Sequence, residues 1–193
     1  MQNSSFGWDK NKIKSVIIND GATSIGDDAF NGCTGLTNVT ISNSVTNIGY
    51  SAFKNCTGLT GIAIPNGVMN ISNYAFNGCT SLTNITIPTS VTNIGYSAFD
   101  GCTSLTSITV PDSVISIGGY AFYDTAYYNN NSNWENDVLY VGSHLIHANR
   151  SISGTYNIKA GTKTIAGFAF RLCESLTSVK IPNSVTSIGD STF

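Results

Sequence analysis

Apolar residues return along the chain with a fixed step of 23 residues, so the sequence is a tandem repeat. Cys33, Cys56, Cys79 and Cys102 show the step directly. Columns of Leu, Val, Ile, Ala and Phe keep the same step; one of them reads Ile25, Ile48, Ile71, Ile94 and Ile117. The register is lost after Asp124 and returns from about Ile158. Residues 1–193 are therefore predicted to form one repeat domain.

Each unit begins with a pattern typical of a β-strand. Val39 and Ile41 alternate with Asn38 and Thr40, which is the two-residue period of a strand. In the most regular units a proline follows, at Pro65, Pro88, Pro111 and Pro182. Because proline lacks the N–H group that pairing requires, we expect the strand to end there.

The second half of each unit predicts a tight turn or a short second strand. Val45 and Ile48 are spaced by three residues, Gly49 permits a bend, and Ala52 and Phe53 then point back inside. One such coil cannot bury its apolar side, but coils stacked at about 4.8 Å can. The predicted fold is a β-rich solenoid with a parallel sheet, short second strands or turns behind it, and a core of side-chain ladders.

Residues 125–152 interrupt the period as an irregular insertion. Two strand-like runs, Val138–Val141 and His144–His147, flank Gly142 and Ser143, which predicts a β-hairpin after an Asn-rich loop. Insertions in solenoids often carry function, although this one could also simply continue the stack. We expect deletion of residues 130–149 to leave the coils folded and to weaken partner binding.

The amino-acid composition argues against two classes of protein, those that bind nucleic acid and those that span a membrane. Charged residues make up 10% of the chain and the net charge is −2, without a basic stripe, so nucleic acid is a poor candidate partner. No apolar run approaches the ~18 residues of a membrane-spanning helix. These features leave a polar, weakly charged surface of Asn, Ser, Thr and Gly.

The sequence offers no constellation that predicts catalysis or a metal site. The five cysteines belong to a core column and are expected to be free thiols, without disulfides or zinc. His144 and His147 should face opposite sides of their strand, so that they cannot share a metal. The acidic residues fall in different repeat columns. We therefore expect a protein that is not an enzyme and uses no cofactor.

Two outward-facing surfaces are the candidate binding sites. The first is a flat, uncharged face on the main sheet, formed by Asn38, Thr40, Asn84, Thr86, Ser107 and Thr109. The second is a zigzag of aromatic rings behind it, formed by Tyr50, Tyr74, Tyr96 and Tyr120, with Trp134 of the insertion as a further candidate. Exposed aromatic rings are favoured at interfaces, although these rings could also only cover the turns.

The two ends of the chain carry separate expectations. Residues 1–12 are interpreted as an N-terminal lead or cap. Phe193 aligns with Phe170, so the last unit stops three residues short of the equivalent of Cys173, which would leave Val179, Ile181, Val185 and Ile188 partly uncovered. We expect the array to continue beyond this point, or this end to self-associate with a second copy.

The unit Leu82–Cys102, LTNITIPTSVTNIGYSAFDGC, resembles the BspA-like leucine-rich-repeat family, whose unit reads roughly L-x-x-I-x-I-P-x-x-V-x-x-I-x-x-x-A-F-x-x-C. The resemblance extends from about Ile13 to Phe193. It implies a right-handed leucine-rich-repeat coil in a cell-surface or secreted protein. It also implies adhesion to host matrix proteins or to other cells.

Three functions are therefore considered. The leading hypothesis is a protein-binding or adhesion module outside the cell. The alternative is a structural spacer or stalk without a ligand of its own. Binding to ice or another crystal surface is a third, disfavoured because Ile17 and Ala63 interrupt the threonine columns.

Overall fold

A computed structural model describes residues 9–193, which form a β-solenoid of about eight turns with almost no helix. The prediction of a repeat solenoid is confirmed. The predicted N-terminal lead lies mostly in residues 1–8, outside the described residues. The strands are β1 (Ser15–Ile18), β2 (Ser24–Ile25), β3 (Asn38–Ile41), β4 (Asn47–Ile48), β5 (Asn70–Ile71), β6 (Asn84–Thr86), β7 (Asn93–Ile94), β8 (Ser107–Thr109), β9 (Ser116–Ile117), β10 (Trp134–Glu135), β11 (Val138–Val141), β12 (His144–Ala148), β13 (Gly154–Asn157), β14 (Thr164–Ile165), β15 (Leu176–Lys180) and β16 (Ser187–Ile188). One turn of α-helix, α1 (Ala126–Asn129), and a 3-10 turn at Asn131–Asn133 lie in the insertion.

The short second strands form the most continuous sheet of the solenoid. β2, β4, β5, β7 and β9 pair in parallel, each coil adding two residues in strict register. The isoleucine of each strand points inward and stacks on its equivalent one coil away, as Ile48 does on Ile71. Of the two predicted alternatives, a tight turn or a short second strand, the structure therefore has the strand in these coils.

The main face is less regular than the sequence predicts. It consists of three parallel pairs, β1 with β3, β6 with β8, and β13 with β15. Among the described residues, Gly61, Ile62, Ala63 and Ile64 form no strand and no backbone ladder bonds to the neighbouring coils. Gly and Ala have little tendency to form strands, since they offer few atoms to pack across a sheet. The expected parallel sheet is thus divided here, where Gly61 replaces the Asn or Ser of the other regular coils and Ala63 replaces the Thr of its two neighbouring coils.

A stack of phenylalanine rings runs through the solenoid core. Adjacent centroids are 5.2 to 5.5 Å apart and adjacent ring planes are tilted by 4 to 13°. The members of this phenylalanine stack are Phe30, Phe53, Phe76, Phe99 and Phe122. All but Phe30 are fully buried. The 23-residue period therefore places one ring of each coil directly on the next.

The cysteine column is buried beside the phenylalanine stack, and all five thiols are free. The thiols of Cys56, Cys79 and Cys102 each donate to a carbonyl of the preceding coil. Cys79 Sγ lies 3.1 Å from Phe53 O, and Cys102 Sγ lies 3.2 Å from Phe76 O. Burial raises the pKa of Cys56 and of Cys102 to about 12. The thiols are therefore protonated near neutral pH and contribute to packing.

We expect the thiols to be unreactive towards a thiol-specific reagent at pH 8 in the folded protein, because they are both protonated and covered. After unfolding in denaturant, the same titration should detect all five cysteines. An intact mass that indicates a linked pair would contradict the packing described for that pair.

The insertion contains the predicted hairpin. The hairpin lies between two parts of the hydrophobic core and packs against both. β11 pairs with β12 across the two-residue turn Gly142–Ser143. Leu139, Val141 and Ile146 pack into the core of the first half, whereas Val138, Tyr140, Leu145 and Ala148 pack into that of the second. β12 then continues a second five-stranded sheet through its parallel pairing with β14.

The burial of the hairpin therefore argues against the expectation that deletion of residues 130–149 leaves the coils folded. Both faces of the hairpin are buried, so that its removal would expose apolar surface on both halves of the solenoid. His144 is also fully buried, with Nδ1 2.8 Å from Thr164 Oγ1 and Nε2 3.1 Å from Pro111 O. The insertion is an integral part of the stack.

The last coil has several partly exposed apolar side chains. Phe193 stacks on Phe170 at 5.4 Å but is 63% exposed. Ile181 and Ile188 are also exposed, and Val179 and Val185 are half-buried. The exposure predicted for this coil is confirmed, whereas self-association stays a prediction.

Candidate functional site

A row of aromatic rings follows one flank of the solenoid. Tyr50, Tyr74, Tyr96 and Tyr120, here called the aromatic flank, contact each other edge to face with centroids 5.4 to 5.8 Å apart. Tyr50 is exposed and the other three are half-buried. The zigzag predicted from the sequence is therefore one continuous surface row.

The zigzag arises because the rings alternate between two adjacent columns of the repeat. Tyr74 and Tyr120 occupy a position that has a left-handed backbone in every regular coil, with φ of 58° at both residues. Tyr50 and Tyr96 stand one residue earlier in their coils. A bulky residue in the left-handed region costs free energy, so the fold retains these rings at the expense of some stability.

The row continues from the solenoid onto the insertion. Tyr120 contacts Tyr123 at 5.5 Å, Tyr123 contacts Tyr128 at 5.0 Å, and Tyr128 contacts Trp134 at 5.2 Å. The Trp134 indole donates a hydrogen bond to Tyr128 O at 2.7 Å, which fixes the ring. Trp134, predicted as an isolated candidate, thus lies at the end of the same aromatic surface.

A groove of about 1070 Å³ lies between the aromatic flank and the insertion, here called the insertion groove. Its aromatic lining consists of Tyr96, Tyr120, Tyr123, Tyr128, Trp134 and His147. Leu172 is the one aliphatic residue of the lining. The groove is therefore a cleft of ring surfaces and polar groups, without the aliphatic pockets that hold apolar side chains.

Four charged residues line the insertion groove. Arg150 and Arg171 are the two arginines of the whole chain, and both lie here together with Asp100 and Asp137. Within residues 9–193, none of the four forms an ion pair. Arg171 Nη1 donates to Tyr120 Oη at 3.0 Å, whereas the exposed Arg150 forms no hydrogen bond through its side chain in the described structure.

Burial shifts the pKa of three groups in the groove. It raises the pKa of Asp100 above its usual value. It also raises the pKa of Tyr128 to about 12, with a further increase from the neighbouring Tyr123. Burial and the nearby positive charge of Arg150 lower the pKa of His147 below its usual value. His147 is therefore neutral at pH 7, and the formal charges of the two arginines and two aspartates balance.

Sequence reasoning did not predict Tyr123, Tyr128, His147, Arg150 or Arg171 as site residues. Tyr128, His147 and Arg150 lie in the irregular insertion, so the repeat gives no information about their positions. Tyr123 and Arg171 each follow a phenylalanine of the repeat, at a position that the other coils fill with Asn, Lys or Asp, so the column itself does not indicate a site. The signal available in the sequence is composition, because both arginines and a cluster of aromatic residues fall within or close to the insertion. Tyr123 contacts Tyr120 within its own coil, whereas the fold of the insertion brings Tyr128, His147 and Arg150 to the same groove.

The other predicted surface also lies outward but is divided. Asn38, Thr40, Asn84, Thr86, Ser107 and Thr109 are all exposed. Asn84 pairs with Ser107, and Thr86 pairs with Thr109, on the β6–β8 sheet. The unpaired coil 61–64 separates this patch from Asn38 and Thr40. The structure therefore brings four of the six residues together.

Three further features of residues 9–193 concern metal binding, the histidines and membrane spans. No group of three or more His, Cys, Asp or Glu side chains is arranged so that it could hold a metal ion there. His144 and His147 face different surroundings, the core and the insertion groove, as their spacing predicts. No helix in this part of the chain is long and apolar enough to cross a bilayer.

Comparisons with solved structures find bacterial leucine-rich-repeat proteins. A leucine-rich-repeat protein of T. pallidum is 30% identical, with a TM-score of 0.63, and the match covers 92% of this chain and 73% of the other. A leucine-rich cell surface protein of Faecalibacterium prausnitzii is 34% identical, with a TM-score of 0.58, covering 93% of this chain and 57% of the other. A leucine-rich-repeat protein of Eubacterium ventriosum is 28% identical, with a TM-score of 0.55, covering 96% and 52%. The chain thus spans little more than half the length of the last two.

No curated protein is similar to the chain in whole-sequence comparison. A family model does match, described as "BspA type Leucine rich repeat region", with six copies over residues 1–129 and 140–193. The residues between the two matched ranges fall within the insertion. The resemblance inferred from the repeat unit is therefore confirmed, and the chain belongs to the BspA-type leucine-rich-repeat family.

Proposed function

We propose that this chain is a non-enzymatic recognition module of a cell-surface or secreted protein, and that it binds a protein partner through the aromatic flank and the insertion groove. The continuous row of partly exposed rings from Tyr50 to Trp134 is the observation that supports this assignment. Tyr and Trp contribute large contact areas at a small cost in side-chain entropy, and they dominate many binding hot spots. The partner is a matrix protein or cell-surface protein of a host or neighbouring cell.

The geometry of the row supports recognition over a role in turn packing alone. The rings project from successive coils and remain partly exposed after contacting each other, with Tyr50 45% exposed and Tyr123 44% exposed. Each contact fixes the ring beside it, so that little side-chain freedom remains to be lost on binding. Such a preorganised surface favours association.

A binding experiment with two sets of variants tests this proposal. Purified protein is measured by biolayer interferometry against a panel of immobilised extracellular-matrix and cell-surface proteins. A variant that combines Tyr50→Ser, Tyr74→Asn and Tyr96→Ser should lower the affinity for a bound partner at least tenfold. Asn is chosen at position 74 because it tolerates the left-handed backbone.

The matched control changes the opposite face. Asn84→Lys combined with Ser107→Lys alters two exposed residues of the β6–β8 sheet and should leave the affinity unchanged. Thermal melting of each variant confirms that it is folded. Loss of binding only in the control variant would assign the site to the main face. Absence of binding to every member of the panel would reject the proposal in favour of a structural spacer.

A further inference from the structure

The insertion groove combines three chemical features that must be satisfied together by its ligand. Ring surfaces of Tyr123, Tyr128 and Trp134 lie along it. Two arginines without ion pairs supply hydrogen-bond donors, and two aspartates supply acceptors. A ligand that fills this groove therefore needs apolar faces, an anionic group and hydrogen-bond donors within a short length.

The ring arrangement argues against an aromatic cage for a cation. Tyr128, Trp134 and His147 are tilted steeply against each other, but their centroids are only 5.2 to 6.2 Å apart. Rings at this separation are in mutual contact, so no space remains between them for an ammonium group. A positive charge would also meet Arg150 beside His147. The rings offer outer surfaces to a ligand that lies across them.

The charges argue for a ligand with one carboxylate among several hydroxyl groups. A neutral sugar would leave Arg150 without a partner, and a purely anionic ligand would be repelled by Asp100 and Asp137. A carboxylate accepts charge-assisted hydrogen bonds from arginine, whereas hydroxyl groups donate to aspartate oxygens. A sugar acid carries both kinds of group on one ring.

The aromatic and amide residues fit the remainder of such a ligand. A pyranose ring presents weakly positive C–H groups on its flat face, which pack on the negative face of an aromatic ring. Asn129 and Asn131 add amide groups, which both donate and accept hydrogen bonds with hydroxyls. The groove has little provision for a peptide side chain, since its only aliphatic lining residue, Leu172, is itself exposed.

We propose that the insertion groove binds a carboxylated saccharide, with Arg150 and Arg171 holding the carboxylate and Tyr123 and Trp134 supporting the pyranose rings. This inference rests on the proposed function, because it identifies the ligand as a glycan displayed on the partner. Arg171 is held over the Phe168 ring at 5.0 Å and hydrogen-bonded to Tyr120, which presets its orientation. Arg150 remains free to close on the ligand.

Free saccharides test this inference separately from partner binding. The probes are 3′-sialyllactose and an unsulfated heparosan tetrasaccharide, with lactose as the neutral comparison, measured by isothermal titration calorimetry and saturation-transfer NMR. At least one acidic probe should bind, and lactose should bind at least tenfold more weakly. Arg150→Gln should reduce the affinity for the acidic probe at least tenfold and bring it close to that of lactose.

Two further variants define the contacts. Tyr123→Leu removes a ring while keeping an apolar side chain, and it should weaken both the acidic probe and lactose. Lys163→Gln removes an exposed positive charge that does not line the groove, and it should leave binding unchanged. Equal losses in Arg150→Gln and Lys163→Gln would indicate general electrostatic attraction and overturn the inference.

Three other results would decide whether the insertion groove binds an acidic saccharide. Failure of both acidic saccharides to bind, or equal affinity for lactose, would overturn the inference. A peptide of alternating Glu and Ser that binds while the saccharides do not would assign the groove to acidic peptides instead. If the saccharides fail while the tyrosine variants still lose a protein partner, the proposed function stands and only the glycan assignment falls.

Discussion

Replacing Phe76 by alanine is expected to destabilise the protein by about 3–5 kcal/mol, the largest effect of any single substitution considered. Phe76 is fully buried, and its ring lies between those of Phe53 and Phe99, at 5.3 and 5.2 Å. The cavity cannot close easily, because the backbones of the neighbouring coils are fixed at the spacing of paired strands. The free energy of unfolding from urea denaturation, compared with wild type, measures the loss.

The control for this prediction is a large apolar residue that the fold leaves in solvent. Met69 is 56% exposed, so Met69→Ala should change the free energy of unfolding by less than about 0.5 kcal/mol. A loss below about 1 kcal/mol for Phe76→Ala would mean that the phenylalanine stack does not form the core described here.

Gly49→Ala is expected to have the second largest effect, a destabilisation of about 2 kcal/mol or more. A Cβ at this position would lie 2.8 Å from Gly26 C and 2.8 Å from Asp27 N, well inside van der Waals contact. These atoms belong to the backbone of the preceding coil and cannot move aside without separating the two coils. Gly49 N also donates to Ile25 O at 2.9 Å, and this bond would be strained by the separation.

The same column provides a matched control. Gly26 occupies the equivalent position one coil earlier, but a Cβ there would meet no atom of residues 9–193 within 4 Å, and its backbone is not left-handed. Gly26→Ala should therefore be neutral, or stabilise the protein by up to about 1 kcal/mol by restricting the unfolded chain. Equal effects of the two substitutions would show that the glycine column reflects conformational freedom and not close approach of the coils.

The repeat period alone was sufficient to predict the solenoid and its inward columns, and it left two alternatives, a tight turn or a short second strand, for the second half of each unit. A strict 23-residue step leaves only one arrangement in which every Phe, Ile and Cys column is buried, namely stacking of each coil on its equivalent. Burial of Phe53, Ile48 and Cys56 therefore follows from pattern and the hydrophobic effect. The same logic placed Thr86 and Thr109 outward, and predicted the tyrosine zigzag that the structure shows as a row of ring contacts.

The tertiary structure decided what the period could not encode. A hairpin can lie on the surface of a solenoid or within its stack, and the short apolar runs of β11 and β12 did not by themselves decide between these roles. The packing shows that the hairpin lies within the stack, because Leu139 and Val138 fill two different cores from opposite faces of one strand. The insertion groove is a consequence of that placement. Arg150 and Tyr96 are far apart in sequence and belong to no common column, so only the folded hairpin makes them parts of one site.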